Sequence, residues 1–316
     1  MKNVVTIEHI YILTGVLVLA FAVLSALDKS NPKRFGNAAF WGLLAVSFLF
    51  GSQMNDLENG SVVIALIAVG GFGLMHKGAA ATTSPEERTA SAAARGNALF
   101  LPALVVPVVA LVGTLTLKNS GLVEPKNATL IFLALGVLIA LIGCYAWLRP
   151  PVLAPLEEGR RLIDTIGWTA VLPQMLASLG AVFALSGVGG AVGQLATHYL
   201  PLGTPFACVV AYCLGMAAFT VVMGNAFAAF PVMTAGIGLP LIVHRFGGDP
   251  VIMSAIGMLA GFCGTLLTPM AANFNLVPAA LLELPDRNGV IRAQAPTALM
   301  LLAANTGLMA ALVYRF

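Results

Sequence analysis

Apolar runs alternate with short polar stretches along the whole chain, and the runs come in two kinds. In the first half they are of ordinary length: residues 10–27, 37–52, 61–75, 97–117 and 128–148. None shows the strict alternation, over about 10 residues, of a membrane β-strand. Runs close to the 20 or so residues that cross a bilayer as helix predict five membrane-spanning helices. The first, 10–27, is followed by no A-x-A cleavage motif and is predicted to be a retained span.

The second half behaves differently. A Pro-rich, basic connector fills residues 149–161, after which 162–185 predicts a sixth span and the Gly-rich 187–204 predicts either half of a helical hairpin or a full crossing. Two longer runs follow, at 205–243 and 251–282. As unbroken helices they would extend about 60 Å and about 50 Å at about 1.5 Å per residue. A hydrocarbon core is only about 30 Å thick, so both must break. The first offers Gly224-Asn225 and Pro231 as break points; the second offers Gly261, Gly264, Thr268-Pro269, Asn273, Asn275 and Pro278. A last span is expected at 296–314. The expected architecture is therefore an all-α polytopic membrane protein of about ten helical elements, with discontinuous or re-entrant helices in its second half. Residues 1–148 would form a five-span scaffold, 149–161 a cytoplasmic connector and 162–316 a transport region.

Composition agrees: 59% of the 316 residues are hydrophobic and 9% are charged. A soluble domain carries about 25% charged residues. The Lys and Arg residues are unevenly placed. The loops after the first, third and fifth runs hold Lys29, Lys33, Arg34, Lys77, Arg88, Arg95, Arg149, Arg160 and Arg161, whereas those between hold Lys118 and Lys126. The excess of basic residues predicts that these loops face the cytoplasm and that the N-terminus lies outside. No basic patch implies a nucleic-acid partner. The four cysteines lie inside apolar runs without metal or disulfide spacing, and the histidines sit at run ends or in loops. No phosphate-binding loop and no nucleophile elbow is present, so neither a nucleotide hydrolase nor a serine hydrolase is expected. Asp164 is the one carboxylate near the interior of an apolar run; with Arg161 three positions away, an interfacial ion pair is its expected setting.

Breaks at membrane depth expose backbone groups that lipid cannot satisfy, so they persist only inside protein or beside a wet cavity. Helix N-termini at such breaks attract anions, and freed carbonyls attract cations. The candidate binding residues are Gly224 and Asn225 at the first break, and Thr265, Thr268, Pro269, Asn273 and Asn275 around the second. The amides can donate to a carboxylate or coordinate a cation, but they can equally cap a helix or hold a backbone carbonyl. The threonine hydroxyls can equally bond their own preceding turn. No catalytic residue and no metal ligand is expected; the coupling ion is open between Na⁺ and protons, and the scarcity of carboxylates in the apolar runs favours Na⁺.

The segments 31–51 (NPKRFGNAAFWGLLAVSFLFG), 223–240 (MGNAFAAFPVMTAGIGLP) and 261–286 (GFCGTLLTPMAANFNLVPAALLELPD) resemble a bacterial family regarded as the larger subunit of a two-component 5-oxoproline (pyroglutamate) permease. That family is distantly similar to the ion transporter superfamily of carboxylate carriers. The resemblance implies a secondary transporter subunit in the bacterial cytoplasmic membrane, working by alternating access with a smaller integral-membrane partner. Carried over residue by residue, it implies binding of carboxylate and Na⁺ at Gly224, Asn225, Thr265, Thr268, Pro269 and Asn273. The competing expectation is a structural or assembly partner in a membrane complex, with an integral-membrane enzyme third.

Overall fold

A computed structural model describes residues 3–78, 83–282 and 284–315. Among these no strand forms beyond an isolated bridge between Val5 and Val123, and the chain divides into two compact units, Met1–Gly167 and Trp168–Phe316. The division falls just past the Pro-rich connector.

The first unit holds α1 (Ile7–Leu27), α2 (Arg34–Phe50), α3 (Asp56–Gly71), α4 (Pro85–Arg95), α5 (Leu101–Leu117), α6 (Ala128–Leu148) and α7 (Ala154–Ile166). Their starts follow capping chemistry. Asn55 accepts from the Glu58 amide at 2.9 Å while the Glu58 carboxylate accepts from the Asn55 amide, and Ser84 and Glu87 repeat the exchange. Small residues let the helices approach: a Cβ on Gly113 would meet the Phe132 ring, and one on Gly136 would lie 2.9 Å from the Val106 carbonyl.

The second half of the connector is helical and opens the amphipathic helix α7, with Glu157, Glu158, Arg160 and Arg161 among apolar residues. The expected span at 162–185 falls within Ala154–Leu185, an apolar stretch long enough to cross a membrane, as α7, a 3₁₀ turn at Gly167–Val171 and α8 (Leu172–Leu185). One expectation changes: Asp164 is not the partner of Arg161. It is 6% exposed and accepts from Trp41 Nε1 at 2.7 Å and Ser25 Oγ at 3.2 Å, with Arg160 at 3.5 Å. Arg160 also pairs with Asp28 at 2.7 Å, while Arg161 turns to Glu158. One helical turn places Asp164 over Arg160, and the indole and hydroxyl from α2 and α1 complete the cluster.

The second unit continues from α8 with α9 (Val188–Tyr199), α10 (Pro205–Met223), α11 (Ala226–Met233), α12 (Pro250–Thr265), α13 (Ala272–Leu281) and α14 (Gly289–Leu312). Between α11 and α12 the helix widens to π geometry over Thr234–Arg245. Its core is built on close helix crossings. On α12, Gly257, Gly261 and Gly264 face Tyr212, Met216 and Ala217 of α10 in the same order, so these helices run parallel, with the Tyr212 and Met216 side chains seated on the first two glycines and backbone against backbone at Gly264. Gly189 and Gly193 of α9 meet Gly236 of the π segment in the same way. At one end, Asp249 N–H donates to the Val313 carbonyl at 2.8 Å and the Tyr314 hydroxyl to the Pro205 carbonyl at 3.2 Å.

The run at 205–243 breaks at Gly224-Asn225 but not at Pro231. Pro231 is carried inside α11, and the π winding begins three residues later and holds Pro240. The chain folds back at the break: Met233 lies against Gly215 and Gly238 against Tyr212, so the returning arm runs antiparallel to α10. Each arm, Pro205–Met223 and Ala226–Arg245, is long and apolar enough to cross a membrane alone. The run at 251–282 does stop, at Thr265, and resumes at Ala272; Pro278 is carried inside α13.

Candidate functional site

The two breaks touch. Gly224 ends α10 with a φ of 75°, which favours glycine, and a Cβ there would lie 2.5 Å from the Met270 carbonyl oxygen of the second break. Thr268 fastens the contact by donating from its hydroxyl to the Val221 carbonyl at 2.8 Å, and its oxygen accepts from the Met270 amide at 3.2 Å. Asn225 then starts α11 as its N-cap, its side-chain oxygen accepting from the Phe227 amide at 2.8 Å. The second break re-enters helix at Ala272 behind Ala271, a residue with no side-chain cap to offer.

The carbonyls freed at the end of α12 are taken up from inside. Asn275 is fully buried and donates to the Thr265 carbonyl at 2.8 Å and the Thr268 carbonyl at 2.7 Å. Gln294 of α14 donates to the Leu266 carbonyl at 3.1 Å and to the Asn275 side-chain oxygen at 2.5 Å. The Thr265 hydroxyl donates to the Phe262 carbonyl at 2.6 Å, as threonines in apolar helices commonly do. One turn before Gly224, the fully buried Thr220 hydroxyl has no hydrogen-bond partner among the described residues.

Beside this junction, within the second unit, lies a cleft of about 240 Å³ lined by Gln174, Leu176, Gly224, Asn225, Phe227, Phe262, Thr265, Asn273 and Phe274. Phe227 and Phe262 meet edge to face, with ring centres 5.9 Å apart. The expected binding residues thus separate into two sets. Gly224, Asn225, Thr265 and Asn273 line the cleft; Thr268 and Asn275 hold the backbone beneath it, and Pro269 sits on the exposed turn between. Sequence reasoning missed Gln174, the three phenylalanines and Gln294. Gln174 carried a readable signal, as a polar residue inside a predicted apolar span. The described residues hold no group of His, Cys, Asp or Glu arranged for a metal ion.

Taken with seven helices, among the described residues, long and apolar enough to cross a bilayer, the architecture is that of an all-α polytopic membrane protein. The chain belongs to the family described as "protein of unknown function (DUF979)", whose model matches residues 8–314. Neither a curated protein nor a solved structure matches it.

Proposed function

We propose that this chain is a subunit of a secondary active transporter for a small carboxylate, with 5-oxoproline as the substrate. The observation that carries the reading is the cleft at the meeting of two helix breaks, walled by the amides of Asn225 and Asn273 and by Gly224. Helix α11 starts at one break and α13 at the other, and the positive ends of such helices stabilise a negative charge. The amides add donors, so a carboxylate can exchange water for protein partners without a full counter-charge. Alternating access would come from motion around the breaks, and Na⁺ is the coupling ion favoured by a cleft whose described lining side chains are all uncharged. The setting is the bacterial cytoplasmic membrane with the N-terminus outside, and a smaller integral-membrane subunit completes the transporter.

The alternative, an assembly role, draws support from Thr268 and Asn275, whose polar atoms serve the backbone. The deciding experiment is uptake of labelled 5-oxoproline into a non-transporting host that makes this chain, a smaller membrane partner, or both, with and without Na⁺. Na⁺-dependent uptake requiring both chains supports the proposal. Absence of uptake in every arm, with both proteins inserted, removes the substrate.

A further inference from the structure

We infer that a second cleft, between α4 and α7, holds the headgroup of an aminophospholipid, with its phosphate on Arg88 and its ammonium on Glu87 and Glu157. The site lies wholly in the first unit and does not depend on the transporter reading. The cleft measures about 710 Å³, within the range of pockets that bury a drug-sized ligand, and Glu87, Arg88, Glu157, Glu158 and Arg161 line it. Two of these five satisfy each other, since Arg161 donates to Glu158 from Nε at 2.8 Å and again from a terminal nitrogen. The other three keep unused groups. Arg88 gives its Nε to the Thr83 carbonyl at 3.1 Å, while its two terminal nitrogens make no hydrogen bond among the described residues. One Glu87 oxygen accepts from the Ser84 amide at 3.1 Å, and the Glu157 carboxylate makes no hydrogen bond or ion pair among the described residues. One guanidinium edge beside two carboxylates matches a zwitterion: a phosphate takes the paired N–H donors, and a primary ammonium has three donors for the carboxylates.

The placement selects a lipid over a dissolved zwitterion. One wall of the cleft is Leu148, the last residue of the apolar helix α6, with Pro150 and Pro151 beyond it. Leu141 and Val137 lie seven and eleven positions earlier, on the same helix face, and both are exposed, so an apolar track leads from the cleft along α6. Trp147, next to Leu148, is exposed as well, as aromatic side chains at the headgroup level commonly are. Charges of both signs at one end of an apolar track suit an amphiphile. A headgroup with a phosphate alone leaves the two carboxylates unbalanced, and a choline headgroup has no N–H to give them.

Native mass spectrometry of the purified full chain in nonionic detergent tests the assignment with dioleoylphosphatidylethanolamine, dioleoylphosphatidylcholine, dioleoylphosphatidylglycerol and soluble phosphoethanolamine. The wild type should bind the ethanolamine lipid at least about tenfold tighter than either other lipid, the worth of one charge-assisted hydrogen bond. Glu157→Gln, at an exposed position, should reduce the preference over the glycerol lipid about tenfold. Arg88→Gln should weaken the ethanolamine and glycerol lipids alike and leave their ratio unchanged, because both carry the phosphate. Equal affinity of the wild type for the three lipids would overturn the proposal, as would a preference that survives Glu157→Gln in a protein with the wild-type melting temperature. Tighter binding of the glycerol lipid would overturn the zwitterion in favour of an anionic headgroup. Phosphoethanolamine bound as tightly as the ethanolamine lipid would overturn the lipid as its source.

Discussion

Among the described residues both units bury neutral amides that hold backbone groups, Asn31 and Asn37 in the first and Asn275 in the second, but only the first buries a charged side chain as well. In the first, a charged cluster of Asp28, Arg160 and Asp164 joins α7 to the ends of α1 and α2, with Trp41 and Ser25 supplying donors. In the second, the buried polar groups are hydroxyls, amides and the carbonyls released by two helix breaks. The difference bears on what each region can do. A buried ion cluster is stable only while every partner is in place, because an uncompensated charge in an apolar setting is very costly. Neutral hydrogen bonds cost far less to exchange, so a region built from them can rearrange around a ligand. On the transporter reading proposed above, the charged unit would be the scaffold and the neutral one the moving part.

Substitutions that attack each region on its own terms should separate these roles. The largest loss is expected from Arg160→Ala, which leaves the buried Asp164 carboxylate without a counter-charge and Asp28 without its partner; about 3–5 kcal/mol of stability should disappear. Thermal unfolding in detergent would read the loss, and 5-oxoproline affinity in the surviving folded fraction should stay unchanged. Next comes Gly224→Ala, which combines about 1–2 kcal/mol of left-handed backbone strain with a Cβ pressed against the Met270 carbonyl. Unlike the first variant, it should also weaken ligand binding, because the contact it pushes apart forms the floor of the cleft.

Asn275→Ala should cost about 1–3 kcal/mol by stripping the donors from the Thr265 and Thr268 carbonyls. Asn275→Leu would keep the approximate size and lose the donors without adding a charge, so comparable melting temperatures for the two variants would sharpen the assignment to hydrogen bonding. The smallest effect concerns pH. Burial works to raise the Asp28 carboxyl, but hydrogen bonds from Ser30 and Arg160, with the Arg160 charge, outweigh it and hold the group below its ordinary value of 3.8. A carboxylate lowered in the folded state contributes stability in full above 3.8, and the contribution is lost as pH falls through the lower folded-state value. Melting followed down that acid range should show a decline that Asp28→Asn flattens.

Much of this architecture is legible in the sequence because apolar run length is set by bilayer thickness, a constraint local to each segment. The same arithmetic points to Gly224-Asn225, since a run of that length has to turn and glycine followed by asparagine offers a left-handed stop and a cap. Pro231 misleads because it sits near the start of α11, where it removes only one early hydrogen bond, and run length alone does not tell a carried proline from a break. Helix α7 hides behind Pro150-Pro151, although its apolar and charged residues already follow a helical period. The partner of Asp164 depends on Trp41 and Ser25, which only the packing of distant helices brings near. Among the candidate amides, Asn273 and Asn275 are two positions apart and so lie on different sides of α13. One side lines the cleft and the other faces the freed carbonyls, a distinction that only the orientation of the helix decides.

The central claim is that the junction of the two breaks binds a small carboxylate, and equilibrium binding of labelled 5-oxoproline to the purified chain and to its Asn225→Ala and Asn273→Ala variants tests it most directly. The account predicts saturable binding to the wild type and an affinity about tenfold weaker in each variant, with melting temperatures within a few degrees of the wild type. Equal affinity in all three proteins, or no saturable binding to any of them, would contradict it.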